Sequence, residues 1–297
     1  MPAPLAPFSR FVAIDWSGAR RPAAQRRGIV RCVVERRGAD SHVTCLRAGR
    51  DRRETVTWLA ERAADGAPTL VGLDFPFAYA LPFLDRLGAR DFPALLARMA
   101  ALDGASETPG RVDAFVARCG RWWARWGERR DGRTRRRVER LPATWGAESP
   151  LRALPSGRAY RFIGPRQVGK AAITGIAAVA ALRERAPTVR VWPFENPAGA
   201  SLVLVEIWPR LALGPLAKRD AASRRRKVRE LGRSGVRLRP EHGRLAAASD
   251  HAIDALAAAV TMASGRWPLP RPDALPRESA REGWILGVDP PRHPRDP

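Results

Sequence analysis

The sequence predicts an α/β fold built on a mixed sheet, and three features carry that prediction. Several short apolar runs end in an acid, the chain opens with three strand-like segments, a helix and a further strand, and Ala-rich amphipathic helices occupy its second half. At 297 residues with 45% hydrophobic content, the chain is long enough for one large core, with room for a sizeable insertion. A single domain over 1–297 is therefore expected.

The first strand is Phe11-Val12-Ala13-Ile14-Asp15, apolar on both faces, and Trp16-Ser17-Gly18 turns the chain. Residues 28–35 and 42–46 follow as apolar stretches around a polar turn at 36–40, the pattern of an antiparallel meander. Within 54–64, Val56, Leu59, Ala60 and Ala63 mark one helical face. Residues 69–74 form another buried strand ending in an acid, and Pro76 stops it. A helical crossover between the first and fourth strands favours placing them side by side and parallel. This order is how the ribonuclease H fold begins, so a ribonuclease H-like mixed five-stranded sheet flanked by helices is expected.

Residues 78–160 interrupt the alternation and read as a helical Arg/Trp-rich insertion or cap. It comprises one or two short helices over 78–102 and a basic helical stretch over 111–139 containing Trp122, Trp123 and Trp126. An irregular connection over 141–158 follows. Regular structure resumes with a helix over 170–185, a short strand over 189–192, a strand over 202–207, a basic helix over 219–231 and an Ala-rich helix over 247–264. Ser249 is placed to cap that last helix. Residues 268–297 form a Pro/Arg-rich tail, ordered around Gly283-Trp284-Ile285-Leu286 and frayed beyond Asp289.

Asp15, Asp74 and Glu206 each close an apolar strand, and ligands of α/β sheets gather at the carboxyl edge of the strands. Asp250 and Asp254 add an i,i+4 pair on one face of an otherwise apolar helix. Carboxylates in such surroundings need a cation. Hard divalent ions prefer carboxylate oxygen, and two Mg²⁺ or Mn²⁺ ions about 3.5–4 Å apart promote phosphodiester hydrolysis. Asp15, Asp74 and Asp254 are the catalytic candidates, with Glu206 and Asp250 as further metal ligands. The competing readings are a Glu206–Arg210 salt bridge and a dipole-favoured Asp250 at the helix start.

The chain resembles the predicted ribonuclease H-like nuclease family known as domain of unknown function 429. The resemblance lies in Val12-Ala13-Ile14-Asp15-Trp16-Ser17-Gly18, Gly72-Leu73-Asp74-Phe75-Pro76-Phe77, and Val168-Gly169-Lys170-Ala171-Ala172-Ile173-Thr174-Gly175. It continues through Val205-Glu206-Ile207-Trp208-Pro209-Arg210, Ser249-Asp250-His251-Ala252-Ile253-Asp254-Ala255 and Glu282-Gly283-Trp284-Ile285. Together these stretches span nearly the whole chain, in order. The resemblance implies a ribonuclease H-like fold with metal-binding acids at Asp15, Asp74 and the terminal helix. Cellular ribonuclease H carries a metal-binding Glu on its first helix, and neither Glu54 nor Glu61 matches that motif. The acid pair on the last helix is closer to the Holliday-junction resolvases of the same superfamily.

The net charge of +23 favours a polyanionic partner, with DNA or RNA foremost. The cations are almost all Arg, with Lys170, Lys218 and Lys227 the exceptions, so a compositional bias is the competing explanation. Arg166, Lys170, Arg133, Arg135, Arg136 and Arg137 are the candidate phosphate contacts. Residues 164–171 nearly spell a P-loop, but Ala171 replaces the metal-binding hydroxyl and Pro165 removes an N–H. The Trp cluster fits packing better than base stacking. His42, His242, His251 and His293 have no ligand spacing, and His251 reads as a surface residue, with orientation of water or substrate beside Asp250 as the alternative. Cys32, Cys45 and Cys119 form no CxxC pair, and no apolar run approaches the roughly 18–20 residues of a membrane span. With no leader apparent at the N-terminus, the cytoplasm is the expected location. The main expectation is a metal-dependent nuclease. A non-catalytic nucleic-acid binder and a nucleotide-dependent phosphotransferase are the alternatives.

Overall fold

The computed structural model describes residues 8–103, 114–115, 117, 135–140 and 168–291. It is an α/β structure with a seven-stranded mixed sheet in the order β5-β6-β4-β1-β2-β3-β7. The strands are β1 (Arg10–Asp15), β2 (Val30–Arg37), β3 (Asp40–Arg47), β4 (Thr69–Leu73), β5 (Arg190–Val191), β6 (Leu202–Glu206) and β7 (Val236–Arg237). The first three form the expected antiparallel meander, turned at Gly38 with φ +60. β4 then pairs parallel with β1, and β6 parallel with β4. The count of seven corrects the expected five. β7 was not anticipated, since two residues without a periodic run give no strand signal.

α1 (Pro22–Gly28) separates β1 from β2 and was also unanticipated. α2 (Arg52–Ala64) begins with a capping box, in which the Asp51 side chain accepts from the Glu54 backbone and Glu54 accepts from that of Asp51. The segment after β4 forms two short helices, α3 (Leu81–Leu87) and α4 (Phe92–Asp103). Most of the expected Arg/Trp-rich helix, including Trp122, Trp123 and Trp126, lies outside the described residues. So does the near-P-loop start, with Arg166. Where the expected helix ends, residues Arg137–Arg140 form a 3₁₀ turn. α5 (Val168–Arg185) is followed by α6 (Arg210–Leu213), α7 (Ala221–Leu231), α8 (Pro240–Ala248), α9 (Asp250–Ala263) and α10 (Ser279–Glu282). The single helix expected over 247–264 is broken at Ser249, whose extended backbone ends α8 and whose hydroxyl accepts from Ala252 N to cap α9.

Two apolar layers cover the sheet. Val12, Ile14, Val33 and Val71 face the layer containing α2 and α5, while Phe11, Ala13, Cys32 and Val34 face the layer containing α9. The period-two alternation of β1 therefore directs Asp15 toward α9. Among the described residues, no helix is long and apolar enough to cross a membrane.

Candidate functional site

Parallel pairing brings the carboxyl ends of β1 and β4 to one edge of the sheet, with Asp74 N donating to Ile14 O at 3.0 Å. Aromatic packing fixes the two acidic turns there. Trp16 packs on Phe75 with ring centroids 5.3 Å apart, and Phe75 packs on Phe77 at 5.2 Å. Gly18 and Gly175 admit this packing because each lacks a side chain. A Cβ on Gly18 would lie 2.6 Å from Ala171 N, and one on Gly175 would lie 2.5 Å from the Phe75 ring. The first turn of α5, including half-buried Lys170, thus sits directly beside the Trp16-Ser17-Gly18 loop.

A cleft of roughly 580 Å³ opens at this edge, lined by Asp15, Asp74, Asp250 and Asp254. Ser17, Gly18, Val168 and Ala171 form part of its wall, and Ala24, Arg27 and Gly28 of α1 another part. Four of the five acids read from the sequence as metal ligands therefore share one cavity.

The geometry of these acids differs residue by residue. Asp15 is buried, and His251 Nδ1 donates to its Oδ2 at 2.6 Å. Burial raises the Asp15 carboxyl above its ordinary value, against the hydrogen bond and charge of His251. His251 is in turn pushed up to about 9, chiefly by that hydrogen bond. Asp254 is buried and pushed up to about 7 by desolvation, although its Oδ2 accepts from the Lys218 ammonium. Its Oδ1 is buried with no hydrogen-bond partner. Asp250 is exposed at the start of α9, where its Oδ1 accepts from His251 N at 3.1 Å. Asp74 is half-buried. Among the described residues, no group of three His, Cys, Asp or Glu side chains converges closely enough to hold an ion as it stands.

Glu206 does not join this cleft. In the β4–β6 register it lies opposite Leu73, one residue short of Asp74, so it points to the face away from Asp15. Both carboxylate oxygens are taken by Arg136, at 2.7 Å from Nη1 and 2.6 Å from Nη2, and the Phe77 backbone N–H donates to it at 2.9 Å. The partner is Arg136 rather than Arg210. Arg136 itself corrects a second expectation, because it is 1% exposed and cannot present a surface contact to a substrate phosphate. It also donates to Glu139 Oε1 and to the Glu282 backbone oxygen. Burial acts to lower its pKa, but the charges of Glu206 and Glu139 outweigh that and hold it above the ordinary arginine range. Arg135 and Arg137 are half-buried beside it, and Arg133 lies outside the described residues.

Sequence reasoning missed the Lys218 ammonium that pairs with Asp254 of the cleft. Lys218 is one of only three lysines in an arginine-rich chain, and that rarity was the available signal. His251 is exposed, as expected of a surface residue, and its ring also holds Asp15. Compared with family models, with curated proteins and with solved structures, the chain matches none.

Proposed function

We propose that the chain is a divalent-metal-dependent phosphodiesterase of ribonuclease H-like fold that acts on nucleic acid, as the resemblance to domain of unknown function 429 implies. One observation carries this reading: Asp15, Asp74, Asp250 and Asp254 line a single cleft at the carboxyl edge of the central parallel strands, and Asp254 Oδ1 is buried there without a partner. The meander, crossover helix and parallel fourth strand support the fold assignment.

The donor set suits Mg²⁺ or Mn²⁺, since it is made of carboxylate oxygens. The Lys218 ammonium on Asp254 and the imidazole on Asp15 supply the counter-charge that such ions would otherwise provide. Asp15, Asp74, Asp250 and Asp254 would hold the metal. When bound, it activates water and stabilises charge on the departing oxygen. His251 fixes the orientation of Asp15, and Asp254, near 7, exchanges its proton close to neutral pH. Val168 and Ala171 of the first turn of α5 line the cleft, where the helix N-terminal dipole, with neighbouring Lys170, would favour a substrate phosphate.

The direct test is cleavage of labelled single- and double-stranded DNA and RNA with Mg²⁺, with Mn²⁺ and with EDTA. Wild type is expected to cleave at least one substrate only with metal. Asp15→Asn and Asp254→Asn should lose at least about a hundredfold in rate while melting as folded proteins. Metal-independent cleavage, or full activity in both variants, contradicts the proposal. Salt-sensitive binding without cleavage of any substrate would identify a non-catalytic binder instead.

A further inference from the structure

A second cleft, of roughly 540 Å³, lies toward the same end of the sheet, on the face that α2 covers. Its walls come from the β2–β3 ladder and α2, and Arg31, Arg47, Arg50, Arg53 and Trp58 dominate them. Ile14 is the register partner of Arg31, so Arg31 faces the α2 layer while Asp15, one residue on from Ile14, faces α9. α1 divides the two clefts. Its Ala24, Arg27 and Gly28 line the acidic one, while its Arg26 reaches toward the arginine cleft and binds Asp51 and Glu54.

The arginine cleft is costly as it stands. Arg31 and Arg47 are direct partners across the antiparallel ladder, and like charges placed so repel. Arg31 is only 7% exposed, and its Nε is buried without a hydrogen-bond partner. No ion pair with an acid forms at Arg31, Arg47, Arg50 or Arg53 among the described residues. Instead the guanidinium groups of Arg31 and Arg50 lie 5.4 and 5.7 Å from the Trp58 ring centre. Two acids also line the cleft, Glu54 and Glu61. Glu54 is already neutralised by Arg26 and by the capping box, which leaves Glu61 against four arginines. A buried guanidinium without a carboxylate is stabilised most directly by an anion, and arginine's planar fork suits phosphate oxygens.

We propose that the cleft formed by Arg31, Arg47, Arg50, Arg53 and Trp58 binds a phosphate group, contributed by a nucleic-acid strand that passes over α1 from the acidic cleft. Only the source of the phosphate rests on the nuclease reading. Binding is measured in EDTA, where cleavage plays no part, so failure of one claim is distinguishable from failure of the other.

The test uses the full chain and the triple variant Arg47→Ala/Arg50→Ala/Arg53→Ala, which leaves buried Arg31 in place. The charge-matched control is Arg225→Ala/Arg226→Ala/Arg229→Ala on the exposed face of α7. Two probes are used. One is inorganic phosphate at constant ionic strength, read as a rise in melting temperature, and the other is a fluorescent oligonucleotide titrated at several salt concentrations. The expected result is about a tenfold loss of oligonucleotide affinity and a shallower salt dependence in the cleft variant, beyond any loss in the control. That result assigns the phosphate to a nucleic-acid strand. If only the phosphate-induced rise in melting temperature disappears, the phosphate site stands and its ligand is free phosphate or a small phosphorylated molecule. The proposal is overturned if phosphate gives wild type and cleft variant the same response while oligonucleotide affinity falls no further than in the control.

Discussion

At the scale of single residues, the acidic cleft is defined by protons as much as by oxygens. Asp254 titrates near 7 rather than 3.8 because burial penalises its charge, and His251 near 9 rather than 6.5 because Asp15 accepts from it. Both folded values lie above the ordinary ones, so the native state binds these protons more tightly than the unfolded chain does. Each group therefore contributes stability that is present at low pH and lost as pH rises, Asp254 between 3.8 and about 7 and His251 between 6.5 and about 9. In metal-free buffer, Asp254→Asn should flatten the lower part of this decline and His251→Gln the upper part. Melting temperatures recorded across that range check it, and unchanged pH profiles would contradict the assigned environments. The acids were legible because each interrupts an apolar pattern. The contacts of His251 and Lys218 with those acids were not, because the partner of a basic residue is set only once the fold brings it against a carboxylate.

At the scale of elements, parity within strands decides which acids meet. Asp15, Asp74 and Glu206 looked equivalent as strand ends, but Glu206 is in register with Leu73 and turns to the other face. Which residue of β6 lies opposite which residue of β4 is set by pairing across the sheet, so the sequence of one strand could not reveal it. Glu206 serves instead in a buried network that ties Arg136, at the start of the 3₁₀ turn, to β6 and to Glu282, whose Oε1 accepts from Leu81 N at 2.8 Å. Arg136→Met should cost about 3–5 kcal/mol in urea denaturation, because it leaves buried carboxylates without their cation. Adding Glu206→Gln should recover part of that loss. If Arg136→Met is as stable as wild type, the network does not hold these elements together. Gly18 makes a comparable prediction for the cleft wall. Gly18→Ala should displace the loop from α5, lowering both melting temperature and metal affinity, whereas unchanged values would mean that the contact with Ala171 is not needed.

At the scale of the whole molecule, the sheet presents two clefts of opposite character toward one end, acidic at the carboxyl edge between α5 and α9 and basic on the α2 side. The central order of strands was legible because apolar runs, a turn glycine and a crossover helix leave few alternatives. The two-residue edge strand β7 and α1 were not, since they carry too little periodicity to be read. The net charge of +23 pointed toward a polyanion without saying where it would lie. The fold concentrates four arginines in the cleft beside Trp58.

The central claim is that the acidic cleft holds divalent metal, and calorimetric titration of Mg²⁺ and Mn²⁺ tests it most directly. Wild type and an Asp15→Asn/Asp74→Asn double variant would be compared at pH 8, above the value of about 7 at which Asp254 gives up its proton. The account predicts binding to wild type that disappears in the folded double variant. Absence of binding to wild type, or equal binding to both proteins, would contradict it.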